Sequence, residues 1–316
     1  MKYGFGVDLG GTTVKIGLFT DDGKMVESFE IPTDKTDNGK NVLSDINKAV
    51  QDKIEEKGIA KKDVAGIGIG VPGPVTPDGV VHKLVNIGWG DVEIEKDLSE
   101  LSGFPVKAGN DANVAALGEA WVGAGKQFKS ICMVTLGTGI GGGLIVNGKI
   151  LTGSHGAGAE IGHIVINPDE PESCGCGLHG CAEMYGSATG VVRVARRHIK
   201  NNGNNDSPIK KAADKPEFCA KDVFDAARFG DSLAMEIVSD VCDKLGRTLA
   251  IVSAVSDPDA FIIGGGVSKA GDILIRPLEE AFKKYAFHAC RETKIVSATL
   301  ENDAGMYGCA KLIFDA

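Results

Sequence analysis

Apolar positions recur along this chain at two spacings, and the spacing changes where glycines intervene. Residues 3–9 form a short run with little polar interruption, Tyr3-Gly4-Phe5-Gly6-Val7-Asp8-Leu9, which predicts a buried strand stopping at Gly10-Gly11-Thr12. Residues 14–19 predict a second strand, Asp21-Asp22-Gly23 a hairpin turn, and residues 25–31 a third strand. Over 41–57 the period lengthens. Val42, Ile46, Val50 and Ile54 recur every four positions, as on one face of an amphipathic helix, and Gly58 suits its C-terminal stop. Residues 64–71 return to a strand pattern that ends at Pro72-Gly73-Pro74. A short strand over 105–109 then leads through Asn110-Asp111 into a helix over 112–122.

The pattern then restarts. Residues 131–136 predict a strand ending in Gly137-Thr138-Gly139-Ile140-Gly141-Gly142-Gly143; residues 144–146, the hairpin signal Asn147-Gly148 and residues 149–151 follow. Asp8-Leu9-Gly10-Gly11-Thr12 with Asp22-Gly23-Lys24 is thus echoed by Thr135-Leu136-Gly137-Thr138-Gly139 with Asn147-Gly148-Lys149. The echo predicts two related βββα-type halves with a cleft between them: a first domain over 1–120, a second over 121–301, and a C-terminal helix over about 302–316 returning to the first. Met235, Val238, Cys242, Leu245, Leu249 and Val252 alternate spacings of three and four, a stripe on a long helix that reads as core or as a dimer face. Residues 259–263 predict a strand ending at Gly264-Gly265-Gly266, and residues 201–216, rich in Asn, Lys, Asp and Pro, an exposed loop.

Length and composition fit this division. At roughly 150 residues per domain, 316 residues suggest two. The 44 glycines are about twice the usual ~7%, and they cluster in turns after apolar strands. A formal charge of −9 argues against nucleic acid as a partner, so any phosphate site must be local, built from backbone N–H groups, a metal and a few side chains. Asp8 and its neighbouring glycines exclude a signal-peptide core, and no run of 18 apolar residues predicts a membrane span. The expected compartment is cytoplasmic, where eight cysteines are thiols or metal ligands rather than a disulfide frame.

Three glycine-rich turns are candidate phosphate or nucleotide contacts. Asp8-Leu9-Gly10-Gly11-Thr12 places a carboxylate at a strand end before a turn without side chains; Asp8 could hold Mg²⁺ or its water, although an ordinary hairpin has the same look. Leu136 to Gly143 lacks the lysine of a Walker loop and leads into strand rather than helix, so it suits phosphate contact in a hairpin, or a β-bulge. Gly264-Gly265-Gly266 offers a further close approach, suited to a flat nucleotide. Cys174-Gly175-Cys176-Gly177-Leu178-His179-Gly180-Cys181 is the strongest local signal: three thiolates can wrap one tetrahedral ion, with His163 or His179 as the fourth ligand, and four protein ligands would make the site structural. Glu160 and Glu183 flank that cluster and, with Asn110 and Asp111, can accept hydrogen bonds from a polyol. Phosphoryl transfer to a hydroxyl needs a base near that hydroxyl. Asp111 can serve, oriented by Asn110 or Asn113, or it can simply cap its helix.

Taken together, these stretches resemble the ROK family of sugar kinases and repressors, over nearly the whole chain. The resemblance implies an actin/hexokinase-like (ribonuclease H-like) α/β fold, duplicated into two domains, whose closure expels water. It assigns Asp8, Gly10, Gly11, Thr12, Thr13 and Lys15, with Gly137, Thr138 and Gly139, to ATP phosphates, and Gly264, Gly265 and Gly266 to the adenosine side. It implies that Asp111 is the catalytic base and that Asn110, Asp111, Glu160, His163 and Glu183 hold the sugar, with Gly73 and Asn86 in bordering loops. It selects His163, with Cys174, Cys176 and Cys181, for a structural Zn²⁺, and it implies Mg²⁺ with ATP and a homodimer. The closest resemblance is to the bacterial glucokinases of this family, which implies ATP-dependent phosphorylation of glucose at its 6-hydroxyl. A kinase for N-acetylmannosamine, N-acetylglucosamine, mannose or fructose is the alternative. A repressor is disfavoured because only seven residues precede Asp8, and a non-catalytic sugar binder because Asp111 and both phosphate segments are kept.

Overall fold

The fold is described from a computed structural model over residues 1–84, 86–201 and 207–316. It divides into two compact units, Met1–Lys129 with Gly143–Gly158 and Thr299–Ala316, and Ser130–Gly142 with Ala159–Ala298. No helix of the described residues is long and apolar enough to cross a membrane.

The first unit is built on strands β1 (Tyr3–Leu9), β2 (Thr13–Thr20), β3 (Met25–Pro32), β4 (Val64–Val71) and β5 (Val106–Asn110), ordered β3-β2-β1-β4-β5. β1, β2 and β3 form an antiparallel meander; β4 runs parallel to β1, and β5 parallel to β4. Helix α1 (Val42–Lys57) connects β3 to β4, α2 (Ile94–Ser102) precedes β5, and α3 (Asp111–Trp121) follows it. The second sheet contains β6 (Ile131–Leu136), β7 (Ile140–Val146) and β8 (Lys149–Ile150), then, after helices α4 (Glu183–Gly186), α5 (Ala188–Asn201), α6 (Pro208–Ala213), α7 (Ala220–Arg228) and α8 (Ser232–Ser256), strand β9 (Ala260–Gly264). Helix α9 (Asp272–Tyr285), β10 (Lys294–Ser297) and α10 (Ala304–Phe314) complete the chain. Its strand order is β10-β9-β6-β7-β8, with β9 parallel to β6 and β10 parallel to β9. Read in reverse this is the order of the first sheet, so the echo in the glycine turns extends to topology.

Within the first unit, glycine and large apolar residues alternate along β1 and β4, and the two sets face opposite sides. Phe5, Val7, Leu9, Ile67, Ile69 and Val71 pack with Val42, Ile46 and Val50 of α1 in one buried cluster. Each such burial stabilises the fold by about 1.5–3 kcal/mol. The glycines face α10. A Cβ on Gly6 would fall 2.0 Å from Met306 O, and one on Gly68 1.7 Å from Cys309 O. Many of the 44 glycines therefore serve backbone-to-helix contact inside elements, not only the turns where sequence reasoning put them. Glu119 on α3 is fully buried and stays satisfied, its carboxylate accepting from Ala124 N at 2.8 Å, Thr299 N at 2.9 Å and Leu300 N at 2.7 Å.

Several expectations shift. Residues 143–158, expected inside 121–301, group with the first unit: the second half of β7 pairs with β8, and a Cβ on Gly143 would lie 2.5 Å from Ala116 Cβ of α3. Strand resumes at Ile140, so Gly141 to Gly143 belong to β7 rather than to a loop. Of the expected loop over 201–216, residues 202–206 lie outside the described residues. Beyond them, Pro208–Ala213 is helical and Ile209 is buried, because Ser207 Oγ and Ile209 N both donate to Asp231, the N-cap of α8, at 2.7 and 2.9 Å. On α8 the stripe from Val238 to Val252 is buried as core, whereas Met235 at its start is exposed.

Candidate active site

In the first unit, β1 delivers Asp8 just before the Gly10-Gly11 turn. Gly10 N donates to Thr13 O at 3.1 Å, and Thr33 Oγ1 donates to Gly10 O at 2.7 Å, which fixes the turn and leaves Thr12 exposed. Asn86 Cβ and Lys35 Nζ each lie 3.7 Å from the position a Cβ would take on Gly11, so Asn86 borders this turn. Lys15 is the cross-strand partner of Asp8, and its Nζ donates to Asn302 O at 3.4 Å. Burial raises the Asp8 pKa above the usual carboxylate range, the charge of Asp111 raises it further, and Lys15 opposes both. Gly305 makes room for the carboxyl, since a Cβ there would lie 3.0 Å from it. Two carboxylates that feel one another suit a hard cation and its oxygen ligands.

Asp111 sits at the first turn of α3. The cap itself is Asn110, in extended conformation, whose Oδ1 accepts from Ala112 N at 3.0 Å and Asn113 N at 3.2 Å. Asn110 Nδ2 donates to Gly73 O at 3.3 Å, which joins the turn after β4 to the end of β5. Asp111 is therefore not needed as the cap; one of its oxygens accepts from Ala112 N at 2.8 Å and the residue remains exposed. Partial desolvation by surrounding protein raises its pKa, opposed by the Ala112 N–H and the Asn110 side chain. Asn110, not Asn113, is the side chain that opposes the rise at this carboxyl. Asn113 is buried, and its Oδ1 has no hydrogen-bond partner among the described residues; it lines a cavity of about 210 Å³ with Thr76, Asn110 and Thr152.

In the second unit, β6 runs into Gly137-Thr138-Gly139. This turn is held by the start of α5: Ala188 N donates to Gly137 O and Thr189 Oγ1 to Thr138 O, each at 2.8 Å. Gly265 has φ +82°, and a Cβ on it would fall 2.6 Å from Leu136 O, so the Gly264-Gly265-Gly266 turn lies directly beside the residue preceding Gly137. The Cβ positions of Gly137 and Gly266 meet no atom within 4 Å, and Thr138 is exposed, which leaves this double turn open to a ligand.

The Glu160-Ile161-Gly162-His163 segment packs on the start of β7 because Gly162 has no side chain; a Cβ there would lie 2.3 Å from Ile140 O. His163 thereby meets the cysteine loop. The ligand atoms of His163, Cys174, Cys176 and Cys181 all lie within 4.8 Å of one another, with Cys174 Sγ 3.8 Å from His163 Nδ1 and Cys176 Sγ 3.6 Å from Cys181 Sγ. A tetrahedral ion with metal–sulfur bonds of ~2.3 Å separates its sulfurs by ~3.8 Å, so this donor set fits such an ion. Burial pushes the Cys174 thiol up to about 12 and raises Cys181, while the Leu178 backbone N–H lowers Cys176. A bound cation would reverse the first two. His179 stands outside the cluster, its Nδ1 donating to Glu170 O at 2.9 Å. Glu183, the first residue of α4, accepts from Cys174 Sγ at 2.9 Å and lies 3.8 Å from His163 Nδ1, and a Cβ on Gly139 would fall 2.6 Å from its Oε2. The fold thus gathers His163, Glu183, Cys174 and Gly139, and Glu160 is exposed at the head of their segment. Lys35, Asn302 and Gly305 were missed from sequence, since each reaches its site from an element remote along the chain.

The ROK family model matches residues 4–316. The chain is 41% identical to a glucokinase of Halalkalibacterium halodurans, over 98% of this chain and 94% of that protein. It is 40% identical to a glucokinase of Thermotoga maritima, over 98% and 96%. A ROK family glucokinase from Streptomyces griseus, solved in complex with glucose and AMPPNP, superposes with a TM-score of 0.76 at 32% identity, covering 99% of this chain and 100% of that one. The family match spans both glycine-turn hairpins, the Asn110-Asp111 junction and the cysteine loop, and the chain belongs to the ROK family.

Proposed function

We propose that this protein is a glucokinase, transferring the γ-phosphoryl group of ATP to the 6-hydroxyl of glucose to give glucose 6-phosphate and ADP. The observation that carries the reading is Asp111, a carboxylate released from capping by Asn110, in a chain at least 40% identical over nearly its full length to glucokinases. Asp111 accepts the proton of the 6-hydroxyl as that oxygen attacks phosphorus, and its raised pKa brings it nearer the working range of a general base. Asn110, Glu160, His163 and Glu183 grip the ring hydroxyls, with Gly73 and Asn86 at the border of the sugar. The first glycine turn (Gly10, Gly11, Thr12, with Thr13 and Lys15) and Gly137-Thr138-Gly139 receive the phosphates, and Gly264-Gly265-Gly266 the adenosine.

Asp8 would hold Mg²⁺ or its water shell, and that ion supplies neutralisation of phosphate charge. His163, Cys174, Cys176 and Cys181 would hold a structural Zn²⁺. With Nδ1 turned to the thiols, His163 keeps Nε2 to donate to a sugar hydroxyl. The protein works as a cytoplasmic homodimer at the first step of glycolysis.

An ADP-coupled assay across glucose, fructose, mannose, N-acetylglucosamine and N-acetylmannosamine, with ATP or polyphosphate as donor, tests this. Glucose with ATP should give the highest kcat/KM; preference for another hexose, or no turnover with any pair, overturns it.

A further inference from the structure

Helix α4 is a single turn, Glu183–Gly186, too short to hold itself in place by helix propensity. Its first residue is the proposed sugar ligand Glu183, and its third, Tyr185, is buried and points to a carboxylate that the proposed reaction does not use. That carboxylate is Glu170, 3% exposed, in the segment between His163 and the first cysteine of the cluster. Tyr185 Oη donates to Glu170 Oε2 at 2.6 Å and accepts from Asn167 Nδ2 at 2.8 Å. Arg197, three turns along α5, closes a fork on the same carboxylate, with Nη1 2.7 Å from Oε2 and Nη2 2.5 Å from Oε1. A planar two-point contact of this kind fixes both partners in angle as well as distance. The backbone carbonyl of Glu170 also receives His179 Nδ1, which ties down the far end of the cysteine loop. One buried residue therefore joins α4 and α5 through its carboxylate and the loop that carries the cysteines through its backbone carbonyl.

We propose that Glu170 is a positioning residue: through Tyr185 and Arg197 it locks α4 to the cysteine loop and so sets the Glu183 carboxylate for the sugar. This rests on the reading of Glu183 as a sugar ligand. A substitution at Glu170 should then act on glucose and leave the nucleotide alone, and its effect should vanish once Glu183 can no longer perform.

The test compares E170Q, Y185F and E183Q, with the double variant E170Q/E183Q, on the intact protein with MgATP. The readouts are KM for glucose, KM for ATP, kcat, and metal content by elemental analysis. E170Q and Y185F should each raise the glucose KM about tenfold or more while the KM for ATP stays within about twofold and metal content is unchanged. The double variant should be no worse for glucose than E183Q alone, because the two residues act as one unit. Equal fold-losses from E170Q in the presence and absence of Glu183 would overturn the proposal, as would unchanged glucose KM in both E170Q and Y185F. Should E170Q fail to fold, Y185F, which removes one hydroxyl, still decides. If E183Q itself leaves the glucose KM unchanged, the sugar-ligand reading of Glu183 falls and this proposal with it, an outcome distinct from failure of Glu170 alone.

Discussion

Gly139 and Glu183 share one space: a Cβ on the glycine would lie 2.6 Å from Oε2 of the carboxylate. A turn proposed for phosphate and a side chain proposed for sugar are thereby in contact within the second unit. Gly139→Ala should displace the Glu183 carboxylate without unfolding the protein, because the atom that must give way is the far end of a flexible side chain. A misplacement of ~1 Å at a binding group can cost up to about 10²-fold. The expected result is a fall of about tenfold or more in kcat/KM for glucose, with a thermal midpoint close to wild type. Unchanged kinetics would separate the two groups functionally.

Capping and chemistry are divided between adjacent residues, Asn110 and Asp111. Asp111→Asn should lower turnover by roughly 10²–10⁴-fold, the scale of a positioned base, while circular dichroism and thermal midpoint stay near wild type. Asn110→Ala should weaken glucose binding and, unlike D111N, also destabilise the protein by about 1 kcal/mol through loss of the cap. Near-normal turnover in D111N would remove the base assignment.

The pH dependence follows from the sign of the Asp111 shift. The base must be ionised, and its pKa is raised above the usual aspartate value of ~3.9. Activity is therefore complete above the raised pKa and is lost as pH falls through it. The acid limb of kcat/KM for glucose should lie above pH ~4, and the residual activity of D111N should lack it. An acid limb retained in D111N would assign it to another group.

Glu170 carries a stability prediction of opposite sign. Arg197 first, then Tyr185, hold its carboxyl down at about 2, against an ordinary value of ~4.3. A depressed carboxylate stabilises the fold above its unfolded pKa, and that contribution disappears as pH falls through the folded value. E170Q should thus be less stable than wild type at pH 7, by about 1–3 kcal/mol. The gap should narrow between pH ~4.3 and about 2. Urea midpoints for the two proteins across that range check this.

What the sequence disclosed was local. The strand that carries Asp8, the four-residue period of Val42 to Ile54 and the cysteine spacing each fit within a few turns of chain, and each is present in the fold. The repeated glycine hairpins pointed to two related halves, and the two sheets share one strand order. What stayed hidden needed partners remote along the chain. Gly6 and Gly68 read as strand glycines until α10 arrives from residues 304–314 to lie against them. The helix over Pro208–Ala213 looked like loop because its start is secured by Asp231, twenty-two residues beyond Ile209. Glu170 sits among prolines and acids that suggest a solvated turn, and only Arg197 and Tyr185 explain its burial.

The most direct test of the central claim is the identity of the product. Incubation of the purified protein with glucose and MgATP, followed by ³¹P NMR, should show loss of the ATP γ-phosphate signal. An equal amount of glucose 6-phosphate should appear, and the D111N variant should form it at least about 10²-fold more slowly. Phosphate released without sugar phosphate, phosphorylation at another hydroxyl, or equal rates in D111N would contradict the account.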